Sequence, residues 1–494
     1  MKRFHPIAGL PFLVFLLGAL MTPMAQAADL LVGAGKTVPL GGDQLFDEVA
    51  VESGGTLVLN GNLRFTCSRF TLAGKLVISG DTVIETTYGK SHPDSPDWAF
   101  KVAPSAPLIT VDYPLRAEDG VAGADGVGGS PGVSGHALTL IVHGDLFIES
   151  SETRTTKLAI ELNGQTGGSG ATADGGKSGN AGLGGKGGTL SVTVHGALVG
   201  APYGGLDWSA DGGWGGYDGG PDNPETSGGS GGDLSQGGNG GSIRLNARRI
   251  DANIAYSKFS ANGGGAGGHA GDGYFGDPAG AAAPGGGGGQ IAIVTAGDLE
   301  PVLRWTFEAN GGAGGRTGSC YGGQCYWWKA HCACHEPQNW TGQGGRGGTI
   351  TVEAGRIDNL EFFVRGGDGG IGETGHNMMC QHETDGGCLW GANDGVRVGN
   401  GGDGASAGNG GIVSAVSRVR TIGPGVTYIL YGGQGGASGK GGQPFCTGGV
   451  RTCCTTNACP SGVNGASGVN GSPGTFQTKR QGGHVESLPL LLDE

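Results

Sequence analysis

One stretch constrains this chain more than any other: residues 175–194, "GGKSGNAGLGGKGGTLSVTV". Glycine falls at every third position, at Gly176, Gly179, Gly182, Gly185 and Gly188, and the pattern then switches to strict alternation. Leu190, Val192 and Val194 are apolar, with Ser191 and Thr193 between them. A period of two belongs to a β-strand with one buried face. A period of three belongs to polyproline II, whose three residues per turn let glycine at every third position leave one face without side chains. Doublets such as "GGKGG" leave two faces bare, as a helix wedged between two neighbours requires. A lone polyproline II helix has no internal hydrogen bonds, so burying one demands partners.

The switch recurs. Its starts are "HALTLIV" (136), "TLSVTV" (189), "SIRLNA" (242), "QIAIVT" (290), "TITVEA" (349) and "IVSAVS" (412), spaced by 53, 53, 48, 59 and 63 residues. Self-similarity of this kind marks a solenoid or an array. A second β-like run follows in each unit: "KLAIELNG" (157), "GLDWSADG" (205), "YSKFSANGG" (256), "RWTFEANGG" (304), "EFFVRGGDGG" (361) and "TYILYGGQGG" (427). Asn163, Asn262 and Asn310 precede the first glycine of a glycine-rich segment, where asparagine suits a chain leaving a strand. A unit therefore reads strand, strand, then a long glycine-rich excursion. A structureless loop of that length argues against itself, and the period of three removes the objection. Collagen is the runner-up for the period, since "GVAGADGVGGSPGVSG" (120–135) holds glycine in register, but it fits poorly because such runs are short, poor in proline and interrupted by strands.

The fold class expected is all-β, a parallel β-helix or solenoid with glycine-rich polyproline II helices forming a packed slab. Residues 1–27 read as a leader, 28–119 as N-terminal rungs and cap, 120–482 as six repeats of a strand pair plus a glycine-rich helix, and 483–494 as a C-terminal tail.

The leader has a basic start at Lys2 and Arg3, the apolar run "LPFLVFLLGALM" (10–21), and the small-residue site Ala25–Ala27. It predicts a secreted, extracellular or cell-surface protein beginning near Ala28. The apolar run is too short to anchor in a bilayer, and no membrane span is expected. Without the leader, 28 basic residues face 43 acidic ones, a net charge of −15. That balance argues against nucleic acid and anionic membranes as partners. It suits Ca²⁺ held by loop carboxylates, with Asp211, Asp218 and Asp222 as candidate ligands. No cofactor is otherwise expected.

If each excursion runs out and back, its midpoint is a tip. Unusual side chains gather at these tips: Trp214 and Tyr217; Tyr274 and Phe275; Tyr321, Tyr326, Trp327, Trp328 and Trp340; and Trp390. Trp214, Tyr217, Tyr326, Trp327, Trp328, Trp340 and Trp390 are the candidate ligand-binding residues, because clustered exposed aromatics mark recognition surfaces. The competing reading is a small local core within each tip. Ten of the eleven cysteines also lie at the last three tips: Cys320, Cys325, Cys332 and Cys334; Cys380 and Cys388; Cys446, Cys453, Cys454 and Cys459. An even number at each tip of an exported chain reads as a disulfide framework with undetermined connectivity. Cys67, alternating with strand residues, reads as a buried free thiol. "HCACH" (331–335) offers His331 and His335 as alternative zinc or copper ligands, and "NWT" (339–341) fits a glycosylation sequon. There is no H-E-x-x-H or P-loop, and no catalytic constellation stands out, so the sequence does not show an enzyme.

The "GG-x-GG-x" runs of 164–188, 263–289 and 432–442 resemble glycine-rich polyproline II domains. Such domains occur in phage tail-tip adhesins, snow-flea antifreeze proteins and mycobacterial glycine-rich surface proteins. The resemblance is one of architecture and implies a rigid platform presenting loops. The function expected is that of an exported, non-catalytic surface or matrix protein. It would bind a glycan or cell-surface receptor through disulfide-stapled aromatic tips. Two alternatives stand beside it: a β-helix polysaccharide lyase or hydrolase, and a structural coat, filament or ice-associated protein.

Overall fold

The computed structural model of the protein describes residues 28–88, 98–104, 107–112, 126–150, 156–171, 177–201, 204–217, 231–268, 270, 273–274, 280–317, 320–321, 342–372, 378–381, 402–418, 422–440, 444–447, 463–480 and 485–487. Among these residues there is no α-helix, hence none long and apolar enough to cross a membrane.

The chain alternates between two sheets. The first begins with β1 (Ala28–Val32), β3 (Gln44–Val51), β5 (Leu63–Leu72) and β7 (Thr82–Thr86), and the second with β2 (Thr37–Gly41), β4 (Thr56–Asn60) and β6 (Lys75–Ile78). The first then takes β8 (Trp98–Val102), β10 (Ala137–Val142), β11 (Asp145–Ile148), β13 (Thr189–Gly200), β15 (Ser242–Ile250) and β18 (Gln290–Thr295). It ends with β21 (Thr349–Ala354), β24 (Ile412–Ser417), β27 (Thr475–Arg480) and β28 (Val485–Ser487). The second continues through β9 (Leu108–Val111), β12 (Thr156–Glu161), β14 (Gly204–Ser209), β16 (Lys258–Ser260), β19 (Trp305–Glu308), β22 (Leu360–Phe363) and β25 (Thr427–Ile429). Pairing is parallel in both sheets except where β28 turns back along β27.

Alternation in sequence becomes burial in register. Leu140, Val192, Leu245, Ile293, Val352 and Ala415 are successive partners in the first sheet, and all are buried. In the second sheet the register Ile160, Trp208, Phe259, Phe307, Phe362, Tyr428 sets rings one above another. Phe259 stacks on Phe307 at 5.0 Å, and Phe307 on Phe362 at 5.3 Å. Each buried phenylalanine contributes about 1.5–3 kcal/mol. Residues of both sheets join one continuous core.

The expected solenoid of stacked rungs is corrected by the pairing of the first sheet. Leu63–Cys67 of β5 pairs with β7 and Phe70–Leu72 with β8. Thr189–Val194 of β13 pairs with β10, and Leu198–Gly200 with β11. Since β7 also pairs with β10, and β8 with β11, strands β5, β7, β10, β13, β11 and β8 close into a ring of six parallel strands. The cause is strand length. β13 runs on for 12 residues through His195 and Gly196, where its register with β15 shifts between Val194 and Ala197. The alternating sequence pattern breaks at that shift, so the sequence marks only the first half of the strand.

The glycine-rich stretches carry the rest of the described structure. Six leave the second sheet (163–171, 211–217, 262–268, 310–317, 365–372 and 431–440), and seven return to the first (126–135, 177–188, 231–241, 280–289, 342–348, 402–411 and 463–474). Each stretch but the last of its layer donates backbone hydrogen bonds at every third residue to the next stretch of that layer. Gly164, Gly167 and Gly170 donate to Asp211, Trp214 and Tyr217, and Gly129, Gly132 and Gly135 to Asn180, Leu183 and Lys186. A second set crosses between layers: Gly185 to Gln165, Gly213 to Gly185, Gly238 to Gly213, Gly264 to Gly238, Gly286 to Gly264 and Gly312 to Gly286, each 2.7–2.8 Å. Two of every three positions are thus spent on neighbours, and at most of them glycine is required. A Cβ on Gly264 would collide with the backbone carbonyl of Gly213, and one on Gly312 with that of Gly264. The third position faces outward and carries the side chains.

A candidate ligand-binding face on the glycine array

The outward positions of the outgoing layer form rows across neighbouring stretches. The row nearest the strands reads Asn163, Asp211, Asn262, Asn310, Arg365. Along this row the preceding side chain accepts each outward N–H. Asn163 Oδ1 accepts from Asp211 N (2.8 Å), Asp211 Oδ1 from Asn262 N (2.6 Å), Asn262 Oδ1 from Asn310 N (2.8 Å), and Asn310 Oδ1 from Arg365 N (2.8 Å). Asp211 is the one carboxylate among the acceptors of this row. Its second oxygen accepts from Ser260 Oγ at 3.0 Å. Burial raises its pKa above the ordinary carboxylate range, opposed by the hydrogen bonds from Asn262 and Ser260.

Beyond this ladder stand Trp214 and Tyr217, 57% and 60% exposed. They sit three residues apart on one stretch, so their side chains emerge from the same face. The next stretch places bare glycines beside them. A Cβ on Gly265 would come 2.9 Å from Trp214 Cζ3, and one on Gly268 would come 3.7 Å from Tyr217 Cε1. The indole therefore lies along glycine backbone, supported from below and open above. In the preceding stretch the corresponding positions are Thr166 and Ser169, and in the following one Ala313 and Arg316. Two aromatic rings on a shelf of small residues, with a cation at its border, can stack on a flat ligand and hydrogen-bond its edge.

The other sequence-predicted residues are distributed as follows. Tyr326, Trp327, Trp328, Trp340, Trp390, His331 and His335 lie outside the described residues, as do Asp218, Asp222, Cys325, Cys332, Cys334, Cys388, Cys453, Cys454 and Cys459. Cys320 lies in a two-residue strand, β20 (Cys320–Tyr321), paired with β17 (Gly273–Tyr274) of the preceding excursion. Cys380 and Cys446 lie in β23 (Met378–Gln381) and β26 (Pro444–Thr447), which pair with each other. Both oxygens of Asp211, offered above as a Ca²⁺ ligand, accept hydrogen bonds from the protein. Among the described residues no group of three His, Cys, Asp or Glu is placed to hold a metal ion. Cys67 is fully buried and unpaired, and burial pushes its thiol up to about 12.

One cluster escaped the sequence reading. On the outer surface of the first sheet the rings of His143 and His195 stack at 4.9 Å, and His143 Nε2 lies 3.0 Å from Glu85 Oε1. Glu85 also accepts from Arg64, and these hydrogen bonds, Arg64 foremost, hold its carboxyl below the usual range. The signal was present: "VHG" closes the first strand run in two successive units, at 142–144 and 194–196. Comparison of the chain with protein-family models, curated proteins and solved structures gave no match.

Proposed function

We propose that this is an exported, non-catalytic binding protein. Its ligand is a glycan or glycan-bearing cell surface, contacted by aromatic side chains that the glycine-rich excursions present. The observation that carries the reading is the exposure of Trp214 and Tyr217 on a shelf of glycine. An aromatic ring open on one face and backed on the other suits the apolar face of a sugar ring, which offers C–H bonds to the π-system. Supported rings lose little freedom on binding. In this reading Tyr326, Trp327, Trp328, Trp340 and Trp390, on later excursions, also take part in binding. Export fits the leader that the sequence carries at residues 1–27.

The test is binding of the purified protein to a glycan array and to whole cells, beside the double variant W214A/Y217A. The expected result is a loss of at least about tenfold in affinity, of the size that removing hot-spot aromatics produces, with unchanged far-UV circular dichroism. Full retention of binding by the variant removes Trp214 and Tyr217 from the site. Failure of the native chain to bind any glycan or cell overturns the reading.

A further inference from the structure

The fifth and sixth excursions meet in a small parallel sheet of their own. Strands β23 and β26 pair in unbroken register: Met378 with Pro444, Met379 with Phe445, Cys380 with Cys446, and Gln381 with Thr447. Register partners in a parallel pair lie on the same face of the sheet, and neighbouring strands run about 4.8 Å apart. That spacing falls within the Cα separation of about 4.4–6.8 Å that a disulfide spans.

We propose that Cys380 and Cys446 form a disulfide that joins the fifth excursion to the sixth. The even number of cysteines in each excursion suggests closure within each; the register points across the boundary instead. The neighbouring tip pair shows the contrast. The register partner of Cys320 is Gly273, and the third excursion contains no cysteine, so no bond crosses there.

Forming the bond removes a proton from each thiol and two electrons from the pair. The electrons pass to a disulfide-bearing oxidant, either a thiol–disulfide oxidoreductase or a small-molecule disulfide, which leaves as two thiols. The inference is independent of the glycan reading and survives its failure.

The experiment is disulfide mapping on the full chain, expressed with its leader and collected from an oxidising compartment. Free thiols are alkylated without reductant. The protein is then cut with trypsin and with a protease specific for acidic residues, which separates Cys380 from Cys388 at Glu383 and Asp385. The expected product is a peptide containing Cys380 linked to one containing Cys446. Alkylated Cys380, or Cys380 linked to Cys388, overturns the proposal. The variant C446S gives an independent reading: Cys380 becomes alkylatable if the pair is as proposed, and stays protected if its partner lies elsewhere.

Discussion

At the scale of the residue, Asp211 is the most informative position. It replaces asparagine in a ladder whose other acceptors are amides, and its carboxylate takes hydrogen bonds from Asn262 N and Ser260 Oγ. Because burial raises its pKa, the folded chain holds this proton to a higher pH than the unfolded chain does. The folded state is therefore favoured below the ordinary carboxylate range and loses that advantage as pH rises through the raised pKa. Asp211→Asn keeps the acceptor and removes the charge. It should raise stability at pH 7 and flatten this part of the pH dependence, measured by urea unfolding at pH 4 and pH 7. Asp211→Ala removes the acceptor and leaves the Asn262 N–H without its partner, at a cost of about 1–3 kcal/mol. The ladder was half legible. Asn163, Asn262 and Asn310 stood out before the glycines and read as turn formers. Their bonds run to the next unit some fifty residues away, and local sequence carries no trace of such a partner.

At the scale of the element, the two periods divide the work. Strand positions were legible, because burial on one face of a sheet writes itself as alternation: Leu190, Val192 and Val194 are buried and Ser191 is not. Closure of the six-strand ring was not legible. It depends on β13 continuing past His195 and Gly196, where alternation lapses, and on β5 running unbroken through Ser68 and Arg69. Within the array, glycines of one composition differ sharply in what they tolerate. Gly264→Ala drives a Cβ into the Gly213 carbonyl and should cost about 1–3 kcal/mol or more. Gly287→Ala meets nothing nearer than Asn239 Oδ1 at 3.6 Å and should be close to neutral. Thermal unfolding of the two variants side by side checks the assignment of inward and outward positions. Equal effects would mean that the period-three facing is misassigned.

At the scale of the whole molecule, two kinds of neighbour contact hold successive units together, strand pairing and the bonds of the array. The proposed Cys380–Cys446 bond would add a covalent one between the last two excursions. Closing a loop of several dozen residues contributes about 4 kcal/mol in the chain-entropy account. Mild reduction of the native protein should therefore lower its unfolding midpoint, read by calorimetry with and without dithiothreitol. An unchanged midpoint would show that crosslinking does not support the folded state. The proposed binding surface was legible at this scale only in outline: the aromatic residues could be named, but the glycine shelf beneath Trp214 belongs to a different unit and appears only when the units are stacked. The array has one more property. Parallel pairing between units is continuous from β10 to β27, yet the length of chain between partners changes from unit to unit. Hydrogen bonding fixes where each excursion is rooted and sets no limit on how far it extends. Such a chain can lengthen, shorten or exchange one outer loop while every other unit keeps its alignment, so novelty can accumulate at the periphery without being renegotiated in the core.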